Sequence, residues 1–254
     1  MIKQPILAIL LSCLMGIGSQ LSLASDATVA VASNFGAAMR DIAAAFDRST
    51  DKKVTLVFAS SGKLFAQINN GAPFDCFFSA DQHFPLLLEN NNLAVTGSRF
   101  TYATGALALW SAKTNFIDQQ GGVLNQGEFN KLALANPKLA PYGAAALDVL
   151  TKLNLVEATQ GKWVQGENIA QTYQFVSSGN AELGFVALSQ IKAGEGSYWL
   201  VPPHLYQPIH QDAVLLKRGE NNSTAKLFLD FVRSKVAIEI IQRHGYTVST
   251  NIIE

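Results

Sequence analysis

The chain has 254 residues, 48% of them hydrophobic and 15% charged, with 19 basic residues against 19 acidic ones. That length supports one large α/β unit or two lobes of roughly 100 residues each, both with real cores. The balanced charge excludes the basic stripe on which a nucleic-acid partner depends, and it means that any anion must be captured by local, directed donors rather than by overall positive charge.

Residues 1–24 read as a secretory signal peptide, with a positive charge at Lys3, an apolar run over 6–18 too short to span a bilayer, and small residues in Ser22-Leu23-Ala24 before a cut. Cleavage is expected after Ala24, with a cut after Ala27 as the alternative. Loss of Lys3 then leaves a net charge of about −1 from the balance of 19 and 19. Leu10-Leu11-Ser12-Cys13 loosely resembles a lipoprotein box, but the apolar run continues past Cys13. No later stretch reaches the ~18 to 20 apolar residues of a membrane helix, so the mature chain is expected to be soluble and periplasmic.

Residues 28–32 form a short β-prone run, and 34–46 carry Phe35, Ala38, Met39, Ile42, Ala43 and Phe46 as a helical stripe. A strand is expected at 54–58, then a helix over 64–68 ended by Asn70-Gly71-Ala72-Pro73. A strand at 74–78 and a helix through 84–89 follow, before the turn-rich Asn90-Asn91-Asn92. This alternation predicts a mainly parallel sheet flanked by helices. A strand at 105–110 opens a second series, with a strand at 132–135, a turn through 136–141 and a helix at 142–153. Then come a helix at 169–177, a strand at 183–186 and a helical segment at 189–193. The chain returns through Pro202-Pro203 and a strand at 210–217. Leu, Phe, Val and Ile at helical spacing over 225–243 predict one long closing helix on the first lobe. The expected organisation is lobe I from 25–104 plus 210–254 and lobe II from 105–209. Of the two cysteines, Cys13 leaves with the signal. Cys76, inside Phe74-Asp75-Cys76-Phe77-Phe78, is expected to be buried as a small hydrophobe.

The chemistry lies at strand-to-helix junctions. Ala32-Ser33-Asn34 and, one unit later, Ala59-Ser60-Ser61-Gly62 sit where a strand ends and a helix begins. First-turn N–H groups have no internal partner, the helix dipole places partial positive charge there, and Ser or Asn adds a donor. The plain alternative at each junction alone is N-capping, but two in consecutive units converge on one crevice of an open α/β sheet. Pro141-Tyr142-Gly143-Ala144-Ala145-Ala146 and Gly166-Glu167-Asn168-Ile169 open two further helices in the second series. Gly62-Lys63 fails as a P-loop, because Val57 stands where Gly is needed and Leu64 where Ser or Thr is needed. Ser61 lacks the Gly-x-Ser-x-Gly elbow, and His83, His204, His210 and His244 have no metal-ligand spacing.

Several runs, in this order, resemble the periplasmic molybdate-binding proteins of ABC importers across the whole mature chain. They are Val29-Ala30-Val31-Ala32-Ser33-Asn34-Phe35, Phe58-Ala59-Ser60-Ser61-Gly62-Lys63-Leu64-Phe65-Ala66-Gln67-Ile68 and Gly71-Ala72-Pro73-Phe74-Asp75-Cys76-Phe77-Phe78-Ser79-Ala80-Asp81. Pro141-Tyr142-Gly143, Gly166-Glu167-Asn168-Ile169, Leu183-Gly184-Phe185-Val186-Ala187 and Arg243-His244-Gly245-Tyr246 complete the series. The resemblance implies an α/β, two-lobed type II binding fold with an oxyanion held in the cleft. Carried over by position, Ser33 and Ser61 donate through hydroxyl and backbone N–H, and Tyr142 and Ile169 donate backbone N–H. Many members have a Tyr donor where this chain has Ala187. Another subgroup uses an Asn after the first serine position and a Tyr in the Pro-x-Gly segment, matched here by Asn34 and Tyr142. The ligand implied is molybdate or tungstate, with no cofactor and no direct metal-ion ligand. The partner implied is the membrane permease of an ABC importer, and the chain is expected to be a monomer. A receptor for sulfate or another tetrahedral oxyanion is the alternative, and a secreted hydrolase with Ser61 as nucleophile is the reading from another class.

Overall fold

The computed structural model describes residues 27–249; the expected signal peptide and its cleavage site lie outside the described residues. Short β-branched and apolar runs build strand β1 (Ala27–Ala32), β2 (Val54–Ala59) and β3 (Cys76–Phe78), joined by helix α1 (Gly36–Thr50) and α2 (Ser61–Asn69). Helix α3 (His83–Asn90) leads to β4 (Phe100–Gly105), and the chain crosses at Ala106 into a second series. That series runs β5 (Leu107–Ser111), α4 (Val123–Gln126), β6 (Leu132–Ala135), α5 (Pro141–Lys152), α6 (Val156–Thr159), β7 (Trp163–Gly166), α7 (Ile169–Ser177), β8 (Leu183–Ala187) and β9 (Ser197–Leu200). The chain then returns through β10 (Ile209–Leu215), α8 (Ser223–Val232) and α9 (Lys235–Arg243).

Two five-stranded sheets result, in the orders β2-β1-β3-β10-β4 and β7-β6-β8-β5-β9. In each, three strands pair in parallel and the other pairings are antiparallel. The two-lobed α/β class therefore holds, with mixed sheets in which the parallel part comes from the crossover units. The antiparallel pairings belong to the strands on which the chain leaves one sheet and enters the other.

Both faces of the first sheet are covered. Val29 and Val31 of β1 pack with Phe35, Met39, Ile42 and Phe46, and with Phe228, Ile240 and Ile241 of the last two helices. The opposite face, through Ala30, meets Leu64 and Ile68 of α2. Full burial of each large side chain contributes about 1.5–3 kcal/mol, which is why β1 reads as a near-continuous apolar run rather than an alternating one.

Three sequence expectations are corrected. The predicted closing helix over 225–243 is two helices, because the Ser234 hydroxyl accepts from Ala237 N–H at 3.3 Å and starts a new N-terminus. The helical segment expected at 189–193 is a single 3-10 turn, Leu188–Gln190, beyond which Gly194 and Gly196 take positive φ. The strand expected at 105–110 is the junction of β4 and β5, which belong to different sheets.

Candidate functional site

Strand register brings the helix starts together. Ala32 pairs with Ala59 at the ends of parallel β1 and β2, so the residues that follow, Ser33 and Ser60-Ser61, leave one sheet edge side by side. In the second sheet Ala135 pairs with Gly166 at the ends of β6 and β7, and the starts of α5 and α7 lie just beyond. Ser33, Asn34, Ser60 and Ser61 from the first pair and Ala140, Pro141, Tyr142 and Ile169 from the second line one pocket of about 10 Å³. The five residues predicted as ligands are thus brought to one place. That volume is small against the roughly 300–1,000 Å³ of pockets for drug-sized organic ligands.

The helix starts leave their amides open. Ala32 and Ala140, the residues before the first turns at Ser33 and Pro141, have no capping side chain. Pro141 has no N–H to place, so Tyr142 carries the first amide of α5. At α7 the Asn168 side chain accepts from the N–H groups of Ala170 and Gln171 at 3.0 and 3.1 Å, which leaves the Ile169 amide outside the cap. The lining holds no Lys, Arg, His, Asp or Glu. What it offers is N–H and O–H donors at the positive ends of helix dipoles, the chemistry that binds anions.

Side-chain bonds refine the picture. The Ser61 hydroxyl oxygen accepts from Ala80 N–H at 2.9 Å, so its own proton remains to be donated. Asn34 spends both Nδ2 hydrogens, on Gln211 Oε1 at 2.8 Å and the Tyr246 hydroxyl at 3.2 Å, and keeps its backbone N–H for the pocket. The Tyr142 phenol lies against Gly105, where any side chain would collide with it, and accepts a long 3.5 Å bond from Gln211 Nε2. The side chains of Asn34 and Tyr142 therefore join a buried network at the crossover between the sheets. In that network Tyr246 donates to the Asn34 carbonyl and accepts from Ser189, both at 2.8 Å. Burial raises the Tyr142 phenol well above its usual range, and pushes Tyr246 up to about 12; both stay protonated at neutral pH.

The two halves touch across the pocket. Gly62 N–H donates to the Leu139 carbonyl at 2.8 Å. Lys63 pairs with Glu167 at 3.2 Å on the surface, an exposed contact worth about 0–1 kcal/mol. Ala187 is fully buried at the end of β8; its N–H donates to Gln190 Oε1 at 3.0 Å, and Gln190 Nε2 in turn donates to the Ile169 carbonyl at 3.2 Å. Gln190 thereby fixes the start of α7. Sequence reasoning missed Gln190 and Gln211, whose roles depend on partners far away in the chain. Ser60 stood within a quoted run, yet nothing in the sequence separated it from Ser61. Cys76 is buried in β3 as expected. Among the described residues no group of three or more His, Cys, Asp or Glu could hold a metal ion.

A family model described as bacterial extracellular solute-binding protein matches residues 27–247. The molybdate-binding protein ModA of Azotobacter vinelandii is 52% identical over 227 residues, 88% of this chain and 90% of that one. The molybdate-binding protein ModA of Rhodobacter capsulatus is 46% identical over 224 residues, covering 88% of both. A solved structure, the Azotobacter vinelandii periplasmic molybdate-binding protein, superposes with a TM-score of 0.86 at 40% identity, over 89% of this chain and all of the other.

Proposed function

We propose, starting from the fact that the chain belongs to the bacterial extracellular solute-binding protein family, that it is the molybdate-binding component of an ABC importer. It works in the periplasm as a monomer, takes up molybdate or tungstate, and hands it to a membrane permease. Ser33 and Ser61 donate hydroxyl and amide protons, and Asn34, Tyr142 and Ile169 donate backbone N–H. The observation that carries this reading is the convergence of uncapped helix starts from both sheets on one small, uncharged pocket.

The chemistry supports it. A fully deprotonated tetrahedral dianion has only acceptors, so a lining of N–H and O–H groups satisfies it without a counter-charge. Protonated phosphate would bring a donor that finds no carboxylate in the lining; the unpaired proton costs about 1–3 kcal/mol, a rejection of about 5- to 150-fold. The hydrolase reading of Ser61 gains nothing, since its oxygen is bonded to Ala80 N–H and the lining has no base.

Calorimetric titration with molybdate, tungstate, sulfate and phosphate is the test. Heat with the two metal oxyanions is expected, with phosphate bound several-fold or more weakly. Sulfate binding without molybdate binding would move the assignment to a sulfate receptor, and silence with all four would remove it.

A further inference from the structure

The start of α2 holds a group that neither the fold nor the ligand set above accounts for. Ser60 is only 3% exposed and lines the pocket. Among the described residues its hydroxyl is the one buried side-chain oxygen or nitrogen without a hydrogen-bond partner. An orphaned buried hydroxyl costs about 1–3 kcal/mol, so it calls for an acceptor that is present in the working state. Ser60 also occupies the N-cap position in extended geometry, φ −68° and ψ 151°, with no side-chain cap bond. A serine there ordinarily accepts from the amide two or three residues on. Here the first of those amides, Gly62 N–H, is taken by Leu139 on the other half at 2.8 Å. The contact that brings the halves together thus occupies one of the two amides that Ser60 could cap.

We infer that Ser60 is a further ligand-binding residue, whose hydroxyl donates to the bound oxyanion beside that of Ser61. The inference rests on the oxyanion-binding reading proposed above. The Ser60 hydroxyl is buried from bulk solvent, and an acceptor-only dianion in the pocket supplies what it lacks. Two adjacent hydroxyls at one helix start then differ in their duties. Ser61 ties the loop at Ala80 while donating, and Ser60 serves the guest alone.

The test compares wild type, Ser60→Ala and Ser61→Ala by calorimetry with molybdate and by melting of the ligand-free proteins. Ser60→Ala is expected to bind about ten-fold weaker or worse, the range for a hydrogen bond to a charged group, while its ligand-free melting temperature stays level or rises. Ser61→Ala is expected to lose both affinity and stability, because it also strips Ala80 of its acceptor. Unchanged affinity in Ser60→Ala, with wild type binding normally, would overturn the assignment of Ser60 alone. A lower ligand-free melting temperature in Ser60→Ala would make the residue structural and overturn it equally. If wild type itself gives no heat, the oxyanion reading falls and this inference with it.

Discussion

Substitution of Gly62 by alanine separates the closed state from the fold. Gly62 is buried in the first turn of α2, and a methyl group there would lie 3.0 Å from the Leu139 Cα, 3.1 Å from its carbonyl oxygen and 3.3 Å from its Cδ2. Carbon contacts are favourable at about 3.5–4.0 Å, so Leu139 has to retreat by a few tenths of an ångström, and the Gly62 N–H bond to its carbonyl stretches. Overpacking of this kind costs about 1–3 kcal/mol. It is felt where the halves meet and, on the proposed reading that they close on the ligand, it falls on the ligand-holding state. At 1.4 kcal/mol per factor of ten, affinity should drop by about 5- to 150-fold. Within the helix the change has the opposite sign, because alanine is better than glycine by about 0.5–1 kcal/mol. Calorimetric titration with molybdate gives the first quantity and ligand-free thermal melting the second. A variant that binds as tightly as wild type, or that melts lower without ligand, would refute the reasoning.

Ser33→Ala and Ser61→Ala should each weaken molybdate binding by about 1.5–3 kcal/mol; calorimetry giving wild-type affinity in both would dissolve the ligand assignment. Binding should be flat between about pH 6 and about 9. The lone titratable group in the lining is the Tyr142 phenol, which burial holds well above its usual range near 10, so its donor form persists throughout. A several-fold fall in affinity as pH rises across that window would point to a titrating group the pocket does not contain. Cys76 should resist thiol reagents in the native state and react once in denaturant, because burial, and then the neighbouring Asp75, raise its thiol far above the usual range. Fast native labelling in a colorimetric thiol assay would contradict that.

The first crossover units were legible because their strands are buried on both faces and their helices carry one apolar stripe. Met39, Ile42 and Phe46 predict α1 and lie on its buried face, with Phe35 buried in the turn just before it. The helix start at Ile169 was legible because its capping Asn168 is a local signal, whereas α2 begins at Ser61, three residues before the helix expected over 64–68. The two edge strands of the second sheet were not legible. Trp163–Gly166 and Ser197–Leu200 are four-residue strands whose partners lie about thirty or ninety positions away, and no local period marks them. The break at Ser234 carried a readable signal, a serine between two apolar runs, hidden by helical spacing that continues across it. At the site the predicted residues line one pocket, but two side-chain directions were not legible. Asn34 and Tyr142 turn toward Gln211 and Tyr246, and those partners enter from β10 and from the segment after α9. Only the closed topology places them there.

The division of amides between two sheets decides how cargo departs. With one set rooted at β1 and β2 and the other at β6 and β7, the proposed ligand set means that a swing about the crossover strands would withdraw half of the donors in one movement. The lining holds no charged side chain, so on that proposal discharge would follow mechanical separation rather than titration. A translocator that pries the halves apart would receive an ion already rehydrating on its open side.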